Sequence, residues 1–282
     1  MIPAAFDYEV AESVEHAVSL LTEREESKLL AGGHSLLPAM KLRIARPSCL
    51  IDIGGLTELS YVRDEGDRIA IGAVTRHKDV SDAPLLREHC PIVSFTTGQV
   101  GDPQVRHRGT IGGSVSHGDP ASDLPAVLFA VDAEMVVRGP NGERVIPALD
   151  FCTGVFQTAL GEGEMLVEIR VPKLGGSTGW SYVKMARRAQ DWATVGVAAV
   201  VERSNGDIER AAIALTNMGA TPVRARAAEK AIADGAGIEE AAELASEGRN
   251  PPSDQAASAE FRAHLARVLT GRAVATAAGV EG

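Results

Sequence analysis

The sequence has few cysteines, and it has no apolar run of membrane-spanning length. Cys49, Cys90 and Cys152 are the three cysteines among 282 residues, and no two of them form a C-x-x-C pair. This spacing excludes a thiolate zinc site or an iron–sulfur cluster built from this chain's cysteines alone. The longest apolar stretch, Trp192 to Val201, is too short to cross a bilayer. We expect the cysteines to be reduced, small, buried residues.

An excess of positive charge is also missing. The chain has 28 Lys and Arg against 38 Asp and Glu, which gives a formal net charge of -10. Proteins that bind nucleic acid usually present a basic stripe to the phosphates, so this balance argues against a nucleic-acid partner. The first residues carry Asp7 and Glu9 and lack the layout of a signal peptide. We therefore expect a cytoplasmic protein without a transmembrane segment.

The first part of the chain alternates short apolar runs with helical segments. Ser13 is a good cap for a first helix, and a short strand follows through Leu29 and Leu30. From about residue 61 to residue 171, β-like runs such as RIAIG and MLVEIRV alternate with helical pieces at 91–98 and 124–131. This pattern predicts an α+β fold.

The last hundred residues have a different pattern. A glycine-rich stretch at 175–179 predicts a domain boundary, and Ser204-Asn205-Gly206 between two apolar runs predicts a β-hairpin. Thr221-Pro222 is typical of a helix start and Gly235 of a helix end. We expect three helices to close this part, with a frayed tail after Arg272.

Two glycines interrupt the sequence LLAGGHSLLPAMKLR. An apolar strand runs into Gly32 and Gly33, and Ser35 is placed to cap the helix that follows. Successive backbone N–H groups beside a helix start can form a concave anion site, which side chains at the glycines would block. The alternative interpretation is an ordinary strand-to-helix turn that needs positive φ.

The same device recurs in RHRGTIGGSVSHGDPASDLP, with a second helix start at Ser122. Two such turns favour an extended anionic ligand, such as a diphosphate, held by peptide dipoles. The nearby basic residues either add positive potential or form a solvated loop; they are His34, Arg106, His107 and Arg108. Neither a Rossmann fingerprint nor a P-loop is present, which predicts a dinucleotide in another fold. His117 and Asp119 lack a third metal ligand, so we expect them to cap the loop.

An ordered set of motifs carries a family resemblance over nearly the whole chain. AGGHSLLPAMKLR, DPQVRHRGTIGGSVSHGDPASDLPA, YVKMARRAQDWATVGVAA and IALTNMGATPVRA follow one another in the sequence. Together they resemble the FAD-binding medium subunits of molybdenum hydroxylases. The likeness is greatest to the aerobic carbon monoxide dehydrogenase branch, with the flavin domain of xanthine dehydrogenase as a relative.

The resemblance implies the fold and the domain bounds. It predicts a vanillyl-alcohol-oxidase (PCMH)-type FAD-binding domain over residues 1–175, with subdomains at about 1–57 and 58–175. A C-terminal domain of antiparallel sheet and helices then covers residues 176–282.

It also implies the cofactor-binding residues. The first turn supplies Leu29, Leu30, Ala31, Gly32, Gly33, His34, Ser35 and Leu36, and the second supplies Thr110, Ile111, Gly112, Gly113 and Ser114. Single contacts are implied at Asp123, Leu166, Lys184 and Trp192, and no metal ligand is implied.

Three of these residues have alternative interpretations from the sequence alone. Asp123 is also typical of a helix start, where the macrodipole favours an acid. Lys184 would ordinarily be an exposed strand residue. Trp192 could equally pack in a core or a domain interface. The resemblance implies instead that Lys184 stabilises negative charge on the reduced flavin and that Trp192 lies near the ring.

The function implied is electron transfer within an oxidoreductase complex. A large molybdenum-cofactor subunit would oxidise the substrate, and a small subunit with two [2Fe-2S] clusters would pass electrons to FAD on this chain. The external acceptor would be a quinone, a cytochrome or NAD, and the assembly a dimer of heterotrimers, with a peripheral position at the inner membrane face left open. The alternatives are a flavin subunit of a xanthine, aldehyde or heteroaromatic hydroxylase, and a scaffold subunit that has lost the cofactor.

Overall fold

A computed structural model describes residues 2–280, and within them three larger sheets form successive layers with helices, beside one small two-stranded sheet. The predicted α+β class is confirmed. Residues 1, 281 and 282, which belong to the predicted domain ranges, lie outside the described part.

The first layer is a small parallel sheet with one amphipathic helix against it. Its elements are β1 (Asp7–Val10), α1 (Val14–Glu23), β2 (Lys28–Leu30), α2 (Leu36–Lys41) and β3 (Cys49–Asp52). The strand order is β1-β3-β2. As predicted, Ser13 caps α1: its Oγ accepts a hydrogen bond from the His16 N–H at 3.1 Å. The short α2 begins immediately after the first glycine turn.

The second layer is an antiparallel sheet whose strand order is β4-β5-β10-β6-β7. After a 3-10 turn at Thr57–Leu59, its elements are β4 (Val62–Asp64), β5 (Arg68–Gly72), α3 (His77–Asp82), α4 (Pro84–His89), α5 (Pro91–Thr97), α6 (Pro103–Arg108), α7 (Ile111–Ser116), α8 (Asp123–Ala130), β6 (Glu134–Gly139), β7 (Gly142–Pro147), α9 (Ala148–Phe151), β8 (Cys152–Gly154), β9 (Gln157–Thr158) and β10 (Met165–Pro172). Every residue of α8 is buried. This helix is therefore the centre of the core and is closed to solvent on all sides.

The third layer is the antiparallel sheet β11-β12-β13-β14 with three helices. Its elements are β11 (Thr178–Met185), β12 (Val195–Ser204), β13 (Asp207–Thr216), β14 (Val223–Arg224), α10 (Arg226–Ala233), α11 (Ile238–Glu243) and α12 (Ala259–Ala278). The predicted hairpin is confirmed, since Asn205 and Gly206 have φ of 53° and 95° between β12 and β13. Alternate residues of β12 face opposite cores: Ala198 and Val200 pack with α8, whereas Val197 and Val201 pack with α12.

Two predictions for this layer were wrong. Thr221-Pro222 does not start a helix, because Val223 pairs with Leu215 and adds a short edge strand first. The tail after Arg272 is not frayed before residue 280: α12 continues to Ala278, burying Ala273, Val274 and Ala277 in the core beside the sheet. Tertiary burial overrides the weak local signals at both places.

The burial of the cysteines agrees in part with the prediction. Cys49 and Cys90 are buried and Cys152 is half-buried, and all three are free thiols. No helix between residues 2 and 280 is both long and apolar enough to cross a membrane.

Candidate functional site

The two glycine turns lie against each other. A Cβ built on Gly32 would lie 2.4 Å from the Arg108 carbonyl oxygen and 2.7 Å from the Gly109 Cα. On the other side, a Cβ on Gly113 would lie 3.9 Å from the Cβ of Ala31. Because real Cβ atoms do not approach a carbonyl oxygen to 2.4 Å, only glycine permits this contact at position 32. The structure thus brings the two predicted segments together into one site.

The first turn has free backbone donors. Among residues 2–280, the N–H groups of Gly32, Gly33, His34 and Ser35 have no hydrogen-bond acceptor in the protein. Gly33 has φ of 77°, a conformation that glycine adopts without strain. Consecutive free amides of this kind form a concave site for an anion such as a phosphate. The prediction that Ser35 caps α2 was wrong: Ser35 is already helical, and its side chain makes no capping hydrogen bond.

The backbone N–H groups of the second turn are already hydrogen-bonded to other protein groups. The N–H groups of Ile111 and Gly112 donate to the Thr75 and Ala73 carbonyls at 3.0 and 2.9 Å. The Gly113 N–H donates to the Thr110 Oγ1 at 3.2 Å. A Cβ on Gly112 would lie 2.6 Å from the Ala73 carbonyl oxygen, so this glycine serves close backbone packing. The second turn therefore supplies a rigid wall, and the first supplies most of the free donors.

Arg76 and His77 support the second turn, although neither belongs to a recognisable sequence motif. An Arg76 guanidinium nitrogen donates to the Arg108 carbonyl, and the His77 N–H donates to the Gly109 carbonyl at 3.0 Å. His77 is 3% exposed, and its Nδ1 has no partner within the described residues. Burial, with smaller contributions from Arg106 and His34, lowers the pKa of His77 to about 4. The imidazole beneath the second turn is thus neutral at pH 7.

We expect this buried imidazole to make the protein acid-sensitive. In the unfolded chain His77 binds a proton near its ordinary pKa of 6.5, whereas in the folded chain it does so only near 4. The part of the folding stability that depends on His77 should therefore fall as pH decreases between those values, by about 3 kcal/mol. Unfolding by urea at pH 7, 6, 5 and 4 measures this loss. His77→Leu should flatten the profile, while His264→Leu at an exposed position should leave it unchanged; equal slopes in the two variants would contradict the prediction.

A buried ion pair joins the second and third layers. Asp123 begins α8, and its two carboxylate oxygens accept from the Tyr182 hydroxyl at 2.6 Å and from the Lys184 Nζ at 2.9 Å. The side chains of Asp123 and Lys184 are each 7% exposed. Lys184 is consequently not an ordinary exposed strand residue. Tyr182 was missed, although it lies two residues before Lys184 and therefore on the same face of β11.

The surroundings fix the charges in this cluster. Burial raises the pKa of Asp123, an effect that the Lys184 ammonium and the Tyr182 hydroxyl oppose. Burial and the Asp123 carboxylate raise the pKa of Tyr182 well above its ordinary value, so its hydroxyl stays protonated as a donor. A Cβ on Gly196 would lie 2.6 Å from that hydroxyl, so glycine at this position leaves room for it. The cluster presents one lysine held by one carboxylate.

Lys184 also lines an open cleft of about 590 Å³. The opposite wall is the loop from Gly98 to Pro103 with Arg106, and the near wall is the loop from Ala186 to Gln190. Trp192 does not line this cleft and is 60% exposed, so its place near a ring stays a prediction. Leu166 is buried in β10. It lies before Glu168, the first residue of β10 that pairs with β5. Its backbone contact with the cofactor likewise stays a prediction.

No cluster of three or more His, Cys, Asp or Glu suited to a metal occurs between residues 2 and 280. The Asp119 carboxylate accepts from the Ala121 N–H at 2.9 Å, which confirms the predicted loop cap. The His117 ring packs on Phe156 with centroids 5.0 Å apart. The predicted loop cap is therefore confirmed for Asp119 and wrong for His117, whose ring packs on an aromatic side chain and makes no capping hydrogen bond within the described residues.

Comparison with known families identifies the family to which the chain belongs. Residues 4–174 match the FAD binding domain in molybdopterin dehydrogenase, and residues 180–277 match the CO dehydrogenase flavoprotein C-terminal domain. The chain belongs to this family of molybdopterin dehydrogenase flavoproteins. The predicted fold of FAD-binding domain plus flavoprotein C-terminal domain is confirmed, and the cofactor is FAD. The free amides of the first turn are suited to bind the diphosphate of FAD. The close backbone contact at Gly32, where no side chain intervenes, is also compatible with it.

The relatives include subunits of several oxidoreductases. The chain is 41% identical over 279 residues to the carbon monoxide dehydrogenase medium chain of Hydrogenophaga pseudoflava, covering 97% of each protein. It is 38% identical to subunit alpha of the 6-hydroxypseudooxynicotine dehydrogenase complex of Paenarthrobacter nicotinovorans, covering 98% of this chain and 96% of that one. A solved structure of the Hydrogenophaga pseudoflava carbon monoxide dehydrogenase that lacks the Mo-pyranopterin moiety of its cofactor matches with TM-score 0.95, 44% identity and 98% coverage of both chains. This flavoprotein is therefore an oxidoreductase subunit.

Proposed function

We propose that this subunit receives electrons from iron–sulfur clusters of a partner and passes them, through its FAD, to an external acceptor. The observation that carries the proposal is the contact between the two glycine turns beside four unpaired amides. FAD supplies the redox chemistry when bound, since it accepts electrons singly or in pairs. The protein's own task is to position the ring and to set the charge around it.

The residues of the site divide this task. The Gly32–Ser35 amides would hold the diphosphate, and the Thr110–Ser114 turn would form the wall opposite. Lys184 would face the ring from the cleft that it lines, with Asp123 and Tyr182 fixing its ammonium. A positive group near the ring stabilises the negative charge that reduction brings. Leu166 and Trp192 complete the proposed set of contacts.

The partners follow from what this chain lacks. Its three cysteines are free thiols at separate places in the fold, so electrons must arrive from clusters on another chain. We propose a small subunit with two [2Fe-2S] clusters and a large molybdenum-cofactor subunit, assembled as a dimer of heterotrimers. Three free thiols suit a reducing compartment, so we place the complex in the cytoplasm, with any contact to the inner membrane face made through the complex.

Carbon monoxide is the substrate that we propose for the partner subunit. The support is the 41% identity to a carbon monoxide dehydrogenase medium chain. The 38% identity to a subunit of a 6-hydroxypseudooxynicotine dehydrogenase complex favours a second candidate, a hydroxylase of heteroaromatic or aldehyde substrates. The substrate pocket lies on the large subunit in either case. The acceptor proposed is a quinone, a cytochrome or NAD.

The proposal predicts a yellow complex whose flavin is reduced by the correct substrate. The complex, purified from a riboflavin-replete host, should show flavin absorption with about one FAD per copy of this chain. Anaerobic carbon monoxide should bleach that absorption, whereas xanthine and aldehydes should not. Bleaching by an aldehyde or a heteroaromatic compound would favour the second candidate. A colourless complex that cannot be reconstituted with FAD would overturn the proposed function.

A further inference from the structure

The turn after β13 contacts two segments around the Lys184 cleft. It belongs to IALTNMGATPVRA, a motif that supplied none of the predicted cofactor residues. Asn217 follows the last residue of β13 and has φ of 63°. Asparagine is one of the few residues besides glycine that enter this left-handed region at low cost. The backbone therefore favours asparagine or glycine at this position, and the side-chain amide is what glycine would lack.

The backbone of this turn binds the segment that leads into α8. The Asn217 N–H donates to the Pro120 carbonyl at 2.8 Å. Pro120 lies shortly before Asp123, whose carboxylate accepts from the Lys184 Nζ at 2.9 Å. The turn is thus fixed relative to the buried ion pair that orients Lys184.

The side chain of Asn217 binds the other end of the loop that forms the near wall of the cleft. Its Nδ2 donates to the Ala193 carbonyl at 2.9 Å. Ala193 is buried and ends the loop 186–193, which includes the near wall at Ala186–Gln190. A buried carbonyl outside a sheet ladder needs a donor, and Asn217 supplies it. One residue therefore joins the near wall to the segment before α8.

A buried arginine holds the next peptide group. Arg262 of α12 is fully buried, and one of its guanidinium nitrogens donates to the Thr194 carbonyl. Another donates to the Asp254 carboxylate at 2.7 Å. Because burying a guanidinium costs free energy, an apolar side chain would serve better if packing were its whole role. We call the two contacts, Asn217 to Ala193 and Arg262 to Thr194, the loop clamp.

The backbone of the near wall depends on this clamp. Within residues 2–280, the backbone of residues 186–192 makes no hydrogen bond to a residue outside the loop. The Thr194 N–H donates to the Met185 carbonyl at 2.8 Å and closes the loop at its base. The position of the near wall beside the cleft is therefore set largely where the clamp holds the carbonyls of Ala193 and Thr194.

These contacts give Asn217 a role in the flavin site that neither glycine turn can fill. We infer that Asn217 is a positioning residue: by holding Ala193, it keeps the near wall of the cleft at a fixed position relative to the ion pair that orients Lys184. Arg262 is the second support of the same loop. The inference rests on the proposed function, which places the flavin ring in this cleft.

The test removes the side-chain donor and leaves the backbone turn intact. Asn217→Gly keeps the left-handed conformation and the N–H that binds Pro120, and it loses the bond to Ala193. In the purified complex, amide hydrogen exchange in residues 186–194 should accelerate at least about fivefold, the effect of one lost hydrogen bond on a local opening equilibrium. Iodide should also quench the flavin fluorescence more strongly, because the near wall no longer covers the ring. FAD content should stay unchanged, since the diphosphate is held elsewhere.

Asn205→Gly is the matched control. Asn205 is exposed and has φ of 53° in the hairpin at the opposite end of β13. It carries the same substitution with the same added freedom of the unfolded chain, so exchange in residues 186–194 and iodide quenching should not change.

Three results would overturn the inference. They are unchanged exchange in Asn217→Gly, faster exchange with unchanged iodide quenching, and equal effects in the two variants. Absence of FAD from the unmodified complex would instead defeat the proposed function, because hydrogen exchange reports on the loop clamp without the cofactor.

Discussion

Gly32→Ala is expected to abolish stable FAD binding. The added methyl group would lie 2.4 Å from the Arg108 carbonyl oxygen, and both contacting groups are backbone, which cannot rotate away. The two turns must then separate, and the amides of Gly32–Ser35 lose their position relative to the Thr110–Ser114 wall. We expect the affinity for FAD to fall at least about a hundredfold, or ~3 kcal/mol. Titration of the apoprotein with FAD, followed by fluorescence quenching, measures the change.

Gly55→Ala is the matched control. Gly55 follows β3 of the same small parallel sheet, and a Cβ there would meet no atom within 4 Å. It should bind FAD as the unmodified chain does and unfold at the same temperature. Equal affinity in the Gly32→Ala and Gly55→Ala variants would show that the contact between the turns does not govern FAD binding.

Lys184→Met is expected to have the second large effect, on both stability and flavin potential. The substitution leaves Asp123 buried with Tyr182 as its remaining donor. Breaking a buried pair by removing one partner costs about 3–5 kcal/mol, less whatever Asp123 recovers by taking up a proton. If Lys184 faces the ring, its loss also makes the potential more negative by at least about 30 mV, tenfold in the two-electron equilibrium.

A double substitution separates these two effects. Asp123→Asn/Lys184→Met removes both buried charges, so most of the lost stability should return. The flavin potential should stay below that of the unmodified complex, since the positive group is still missing. Urea unfolding and a redox titration of the flavin provide the two readings. A Lys184→Met complex with unaltered potential would remove the proposed role of this lysine, whatever its stability.

Much of the fold could be predicted from local signals. The Ser13 cap, the Asn205-Gly206 hairpin and the Gly235 helix end each depend on residues within one turn of backbone. The failures involve partners distant in sequence. Val223 pairs with Leu215 as an edge strand, and the end of α12 is ordered by β11 and β12, which lie more than sixty residues away in sequence. No local pattern encodes either contact.

The site was predicted to a similar extent and for similar reasons. The glycine turns could be recognised because each is a short segment with a distinctive composition. Their unequal roles could not, since the Ile111 and Gly112 amides are used by Thr75 and Ala73, which belong to another segment. Tyr182 and His77 escaped notice because a tyrosine on a strand and a histidine at a helix start are common. Only the folded structure places Tyr182 against Asp123 and His77 against the second glycine turn.

The Asp123–Lys184 pair has a consequence for how such subunits can diverge. Its aspartate belongs to the flavin-binding half of the chain and its lysine to the C-terminal half. A protein made by recombination at the linker between the halves would therefore take the two residues from different parents. A chimera that received one without the other would bury a lone charge at the seam between its halves. Recombination at the linker is therefore tolerated only between parents that both carry the pair or both lack it.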